Sequence, residues 1–231
     1  MTIDSHQHFW KYDPVEHAWI DDSMIEIRRD FLPGNLRPLL DQNGVDGCVN
    51  IQVSQTEKEN TFMLRLAENN PFIKGVVAWV DLRADNLEEC LHFYRTNPTV
   101  KGFRHIVQGE PRGFLADRRF VNGVKKLKDF GFTYDLLVYH HQLDEAFAFV
   151  KEVEGVKIVI DHLAKPSIKT GDIAHWARTM RALAKFENTW CKVSGMVTEA
   201  SWHDWKVADL LPYMDVVVDA FGARRIMYGS D

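Results

Sequence analysis

The chain is 231 residues long, enough for one domain with a substantial buried core, and α/β barrels commonly use this length as a single unit. Its net charge of −5, with acids and bases interspersed, marks no surface for nucleic acid or anionic lipid, and no apolar run approaches the roughly 18 residues of a membrane-spanning helix. Ordinary globular fractions of 45% hydrophobic and 26% charged residues leave chemistry on a small molecule as the expected work, with a homo-oligomer left open.

The opening Met1-Thr2-Ile3-Asp4-Ser5-His6 lacks the basic-then-apolar profile of a secretion signal and reads directly into a strand, so the expected compartment is the cytoplasm. Three cysteines, Cys48, Cys90 and Cys191, fit neither a disulfide framework nor a CxxC metal pattern and are expected as small buried hydrophobes. After the strand at 2–6, residues 9–35 hold turn residues and aromatics with weak periodicity, which suits a loop over the mouth of a barrel. Short β-branched runs then recur at 47–53, 74–82, 100–107, 132–138, 156–162, 190–196 and 225–230, making eight strands in all.

The runs are nearly continuously apolar, as in strands covered on both faces, and long crossovers between them imply parallel pairing. Helical spacing fills those crossovers, for example at Leu87, Cys90, Leu91 and Tyr94. No GxGxxG follows the first strand, so a closed (β/α)8 barrel of the TIM type, one domain over 1–231, suits the alternation better than an open doubly wound sheet. The eighth strand runs into Asp231 with no helix after it, so the final helix of a complete barrel is missing from this chain.

Side chains alternate across a strand, placing Asp4, His6 and His8 on one face, where two histidines can converge on one ion or substrate. The strand at 156–162 ends in Asp161 and His162, followed by Lys165. Neighbours in a strand point opposite ways, so His162 is expected to face the axis and Asp161 to play a structural or orienting part. Asp231 ends the eighth strand as a candidate general base; taken alone, Ser-Asp after a strand reads more readily as a helix N-cap. Gln52, Trp79, Asp81, Arg104, His105, Asp135 and Lys192 with Ser194 resemble a ring of polar strand ends, and Gln52, Trp79, Arg104, His105 and, with them, Lys165 are the candidates for binding substrate. Arg104 is the best candidate for gripping a polar or anionic group, because its planar fork makes paired hydrogen bonds. Of Arg104 and His105 only one is expected to look inward.

The motifs Asp4-Ser5-His6-Gln7-His8-Phe9-Trp10, Trp79-Val80-Asp81, Gly102-Phe103-Arg104-His105, Asp161-His162-Leu163-Ala164-Lys165-Pro166, Lys192-Val193-Ser194-Gly195 and Tyr228-Gly229-Ser230-Asp231 appear in order at successive strand ends. Together they resemble the amidohydrolase-related (amidohydrolase 2) family, in its sugar-acid lactonase branch. The resemblance implies a hydrolase that opens a lactone, with His6, His8, His162 and Asp231 in the places of the superfamily's site residues and Asp231 as the acid/base. It also implies a single zinc-like divalent ion on those four residues, or alternatively a site working without metal in which the histidines and Arg104 stabilise the oxyanion. Asp135 stands on the fifth strand where a binuclear centre uses histidine, which argues against two metals. The rival expectations are a metal-dependent decarboxylase of the same superfamily and a non-catalytic or truncated ligand-binding barrel.

Overall fold

A computed structural model describes residues 1–231. Eight strands, β1 (Ile3–Gln7), β2 (Gly47–Ile51), β3 (Ile73–Ala78), β4 (Val100–His105), β5 (Thr133–Leu136), β6 (Lys157–Ile160), β7 (Thr189–Val193) and β8 (Ile226–Tyr228), pair in parallel in chain order. Seven helices occupy the crossovers: α1 (Pro33–Gln42), α2 (Glu57–Asn69), α3 (Leu87–Arg95), α4 (Arg118–Phe130), α5 (Leu143–Glu152), α6 (Ala174–Leu183) and α7 (Val207–Phe221). This is the expected (β/α)8 barrel, and no helix follows β8 within the 231 residues. The strands are shorter than the apolar runs, because each run continues as loop past the last ladder hydrogen bond. None of the helices is long and apolar enough to cross a membrane.

The apolar core lies between sheet and helices rather than inside the barrel. In α4 the stripe Phe120, Val121, Val124 and Leu127 is buried, Asp117 caps the start by accepting from Arg119 N at 2.8 Å, and Gly131 ends the helix with φ at 81°. Phe120 meets Tyr134 of β5 and Phe149 of α5 edge-on or tilted, and burying one such side chain stabilises the fold by roughly 1.5–3 kcal/mol. Forty-four buried residues form one cluster of this kind, while Phe9, Leu40, Cys48 and Ile73 form a separate one between β1, β2, β3 and α1. Cys48 and Cys191 are buried as expected; Cys90 on α3 is only partly so.

The last strand meets the first without a regular ladder. Three contacts close the barrel instead: Asp231 N donates to His6 O at 2.8 Å, Ser5 Oγ donates to Tyr228 O at 2.6 Å, and the Asp4 carboxylate accepts from Ser230 N at 3.0 Å and Ser230 Oγ at 2.5 Å. Next to this seam, residues 8–32 connect β1 to α1, so the last three residues of the expected 9–35 loop already belong to the helix. An antiparallel bridge between Trp10 and Phe31 pins its base, with Trp10 N to Phe31 O at 2.9 Å and Phe31 N to Trp10 O at 3.0 Å.

Candidate active site

At the C-terminal mouth, β1 and β8 bring His6, His8 and Asp231 together. His6 Nε2 is 3.2 Å from His8 Nε2, and Asp231 Oδ1 is 3.8 Å from the first and 3.5 Å from the second. His8 Nδ1 donates to Ile51 O at 2.8 Å, which leaves its Nε2 lone pair facing the cluster. The other carboxylate oxygen, Asp231 Oδ2, lies 3.7 Å from His162 Nδ1, and that nitrogen is 2.8 Å from Ser194 Oγ. Gly195, with φ at 56°, passes so close that a Cβ there would sit 2.6 Å from both Asp231 Oδ2 and His162 Nδ1. Only glycine fits that combination of conformation and approach.

Burial lowers the pKa of His6, and it lowers that of His162 to about 4 against the opposing pull of Asp231 and Asp161; both rings are neutral at physiological pH. Burial alone would raise the pKa of Asp231, but its hydrogen bond with His8, followed by the pull of the other imidazoles around it, outweighs this and keeps the carboxylate ionised. The donor set of His6, His8 and Asp231, whose ligand atoms lie within 4.8 Å of one another, fits one divalent ion of the zinc type. His162 falls into a second group with His6 and Asp161 instead. That inner group does not offer a second metal site, because two side-chain cations already hold Asp161: Arg104 Nη1 at 3.0 Å from Oδ2 and Lys192 Nζ at 3.0 Å from Oδ1.

Asp161 departs from the sequence expectation. Strand alternation was to exclude it from the axis if His162 faced inward, yet both are buried and both approach His6, with Asp161 Oδ1 3.5 Å from His6 Nδ1 and the His6 and His162 ring centroids 4.3 Å apart. The reason is local backbone. β6 ends at Ile160, and His162, Leu163, Ala164 and Lys165 then run consecutively in the left-handed region with φ at 50°, 54°, 55° and 45°. Each such residue costs about 1–2 kcal/mol. Surrounding bonds hold the run in place: Trp176 Nε1 donates to Leu163 O at 2.7 Å and His140 Nδ1 donates to Lys165 O at 3.1 Å.

Beneath the histidines lies a buried ionic ring. Lys192 of β7 pairs with Asp135 of β5 as well as with Asp161. Burial would depress the Lys192 pKa, but Asp135 and Asp161 raise it; the same pairing with Lys192, helped by His6 and Arg104, overcomes burial at Asp161 and holds that carboxyl well below its usual range. Asp135 stays raised to about 6, since burial outweighs its partner there.

The expected ring of substrate-binding residues divides. Arg104 is 4% exposed and turned into the barrel, where its fork engages Asp161 and both the carbonyl and side chain of Gln52, and Nη1 is 3.3 Å from His6 Nε2. Its Nη1 and Nη2 donors therefore hold the site's own residues, while its buried Nε has no partner. Gln52 is fully buried and donates to Arg104 O at 3.2 Å. His105 looks the other way, stacked on Phe114 with ring centroids 4.9 Å apart and 2.7 Å from Glu110, and Trp79 joins it through Nε1 to Nδ1 at 3.4 Å. Lys165 alone of the five stays at the rim, 3.8 Å from Glu199 Oε1 and 5.2 Å above the Tyr139 ring, within the field of Asp231. The sequence reading assigned no part to Glu199, and gave Lys192 and Asp135 none as partners. A charged residue inside an apolar strand was the available signal for the latter two.

Imidazoles from β1 and β6 and a carboxylate from β8, meeting at the C-terminal mouth, define a (β/α)8-barrel enzyme with one polar centre. The chain belongs to the amidohydrolase family, whose profile matches residues 3–231. It is 37% identical over 242 residues to an L-fucono-1,5-lactonase of Burkholderia multivorans, covering 100% of this chain and 81% of that protein. An L-fucono-1,5-lactonase of Burkholderia ambifaria is 34% identical, with 100% and 80% covered. The crystal structure of a Burkholderia multivorans amidohydrolase with bound zinc superposes with a TM-score of 0.95 at 37% identity, over 100% of this chain and 84% of that one.

Proposed function

We propose that this enzyme hydrolyses a small carboxylic lactone, of the sugar-acid (aldono) kind, with Asp231 as general base and then general acid. One observation carries the reading: a carboxylate at the barrel mouth whose two oxygens face different partners, Oδ1 towards His6 and His8 and Oδ2 towards His162. Likeness to the L-fucono-1,5-lactonases over the whole chain supports the substrate class. Asp231 takes a proton from water as that water attacks the lactone carbonyl. When the tetrahedral intermediate collapses and the ring C–O bond breaks, the same proton goes to the departing ring oxygen, and the product is an open hydroxy acid. His162, held by Ser194, lies beside the oxygen that carries the proton. Lys165 at the rim donates hydrogen bonds to the substrate's oxygens. His6, His8 and Asp231 Oδ1 would hold one divalent ion, which when bound supplies Lewis acidity at the carbonyl.

The test is acid release from a panel of aldonolactones, followed with a pH indicator, for metal-stripped and zinc-supplemented protein beside Asp231→Asn. The expected result is turnover of at least one aldonolactone and a fall in kcat of about 10²–10⁴-fold in the variant. Equal rates for the two proteins would overturn the role of Asp231, and silence across the panel would overturn the substrate class.

A further inference from the structure

On the β6 and β7 side of the mouth, Lys165 and Glu199 face each other with hydrogen-bonding capacity to spare. Lys165 Nζ lies 3.8 Å from Glu199 Oε1 and 5.2 Å from the centre of the Tyr139 ring, and it donates to no atom of the chain. Both side chains are largely buried, 14% and 19% exposed, and both are held from behind. Lys165 O accepts from His140 Nδ1 at 3.1 Å and from His140 N at 3.4 Å. Thr198 Oγ1 donates to Gly195 O at 2.7 Å and stands 3.2 Å from Glu199 Oε1, while Trp202 Nε1 donates to Thr198 O at 2.9 Å; together these fix the turn Met196–Glu199. The pair is therefore placed by the fold rather than by its own contact. At 3.8 Å the two groups are too far apart for a hydrogen bond, yet one oxygen atom fits between them at about 2.8 Å from each.

Which oxygen belongs there follows from its chemistry. A hydroxyl both accepts and donates, so it can accept from Lys165 and give its own proton to a bond with Glu199. A carboxylate only accepts, and meets the Glu199 charge head-on. We infer that Glu199 is a specificity-determining residue: with Lys165 it forms a donor–acceptor pair that grips a hydroxyl of the lactone and turns away lactones carrying a carboxylate. The surrounding charges act in the same sense. Asp231 adds a second anion near Lys165, and the inward cations Arg104 and Lys192 are spent on Asp161 and Asp135. The pair also lies close to the acid/base, because Gly195, from which the Glu199 turn springs, passes against Asp231 Oδ2. The inference rests on the lactone reading of the site and narrows it to neutral, hydroxyl-bearing rings.

Binding is read by calorimetry on zinc-supplemented protein, with cyclic amides in place of the hydrolysable ester: a hydroxylated δ-lactam and a δ-lactam bearing one ring carboxylate. The native protein should hold the first about tenfold or more tightly than the second. Equal affinity for the two would overturn the inference whether or not any variant folds. Glu199→Gln should weaken the hydroxylated lactam about 3–10-fold and tighten the carboxylated one about tenfold, because the Lys165 charge is then unbalanced. Glu199→Asp keeps the charge and should keep the native preference. A role in packing alone predicts that Glu199→Gln weakens both ligands together, and that result would overturn the inference equally. A metal on the histidine side is common to all these proteins and cancels from the comparison. Rates separate this inference from the reading beneath it. Silence across the lactone panel defeats the lactonase, whereas lactone turnover with an unmoved preference in Glu199→Gln defeats the pair alone.

Discussion

The two halves of the barrel are built differently. From β4 to β8 the strands pair in unbroken register, with Arg104 opposite Asp135 and Lys192 opposite Met227. From β1 to β4 every pairing contains a register shift, and the β8 to β1 seam is closed largely by side chains of Asp4 and Ser5. The regular half holds the buried ions, whose mutual geometry tolerates little error; the irregular half and the seam bring His6, His8 and Asp231 to the mouth. The site is therefore assembled across a joint, and the joint should be its weakest point.

Removing the joint tests that contrast most severely. Asp4 is 1% exposed and its carboxylate accepts from His6 N at 3.0 Å as well as from Ser230. Asp4→Ala leaves these donors without a partner and should cost about 3 kcal/mol, or roughly 10 °C of melting temperature in a domain of this size. Asp4→Asn, which retains an acceptor, should lose less. Calorimetry on the two variants measures both; an unchanged melting temperature in Asp4→Ala would mean that the ladder and packing close the barrel unaided.

A smaller effect separates the buried imidazoles from the rest. His162 has its pKa lowered to about 4 and His6 is lowered too, chiefly by burial, so the unfolded chain takes up protons near pH 6.5 while the folded one does not. Stability from this source is full above pH 6.5 and falls as pH drops towards 4. Asp135, raised to about 6, acts in the reverse sense, which makes the comparison with His162→Gln necessary. Melting curves from pH 7 to 4.5 should show the native protein losing about 2 kcal/mol more than the variant. Parallel curves for the two proteins would show that His162 titrates as an exposed histidine does.

The smallest change is expected on the outer side of β4. His105→Phe keeps the stacking on Phe114 and removes the contact with Glu110, so kcat/KM should stay within about twofold and stability within about 1 kcal/mol. A tenfold loss of kcat would put His105 back among the groups that face the substrate.

Eight strands were legible in the sequence because buried parallel strands are apolar throughout and helical spacing separates them. His6, His8 and Asp231 were legible for a related reason, being polar residues at the ends of such runs. The inward turn of Asp161 was not, since nothing in Asp161-His162-Leu163-Ala164-Lys165 signals left-handed backbone: the segment contains no glycine or asparagine. Alternation correctly allowed only one of Arg104 and His105 to face the axis, where the ladder still runs regularly through both, and it failed only where the ladder had stopped. Arg104 was placed on the correct face, but its partner Asp161 was not legible, because that carboxylate stands 57 residues away, just past the end of β6.

The left-handed run at 162–165 also bears on the order in which the molecule is assembled. Four consecutive residues wound against their natural hand do not nucleate in a free chain; they are held by Trp176 on α6 and His140 before α5, two groups that arrive only when those helices have docked. His162 therefore reaches its place late, after the outer layer has formed around β6. A partly assembled barrel would be catalytically silent even with every strand paired, and the recovery of activity on refolding should lag behind the recovery of secondary structure.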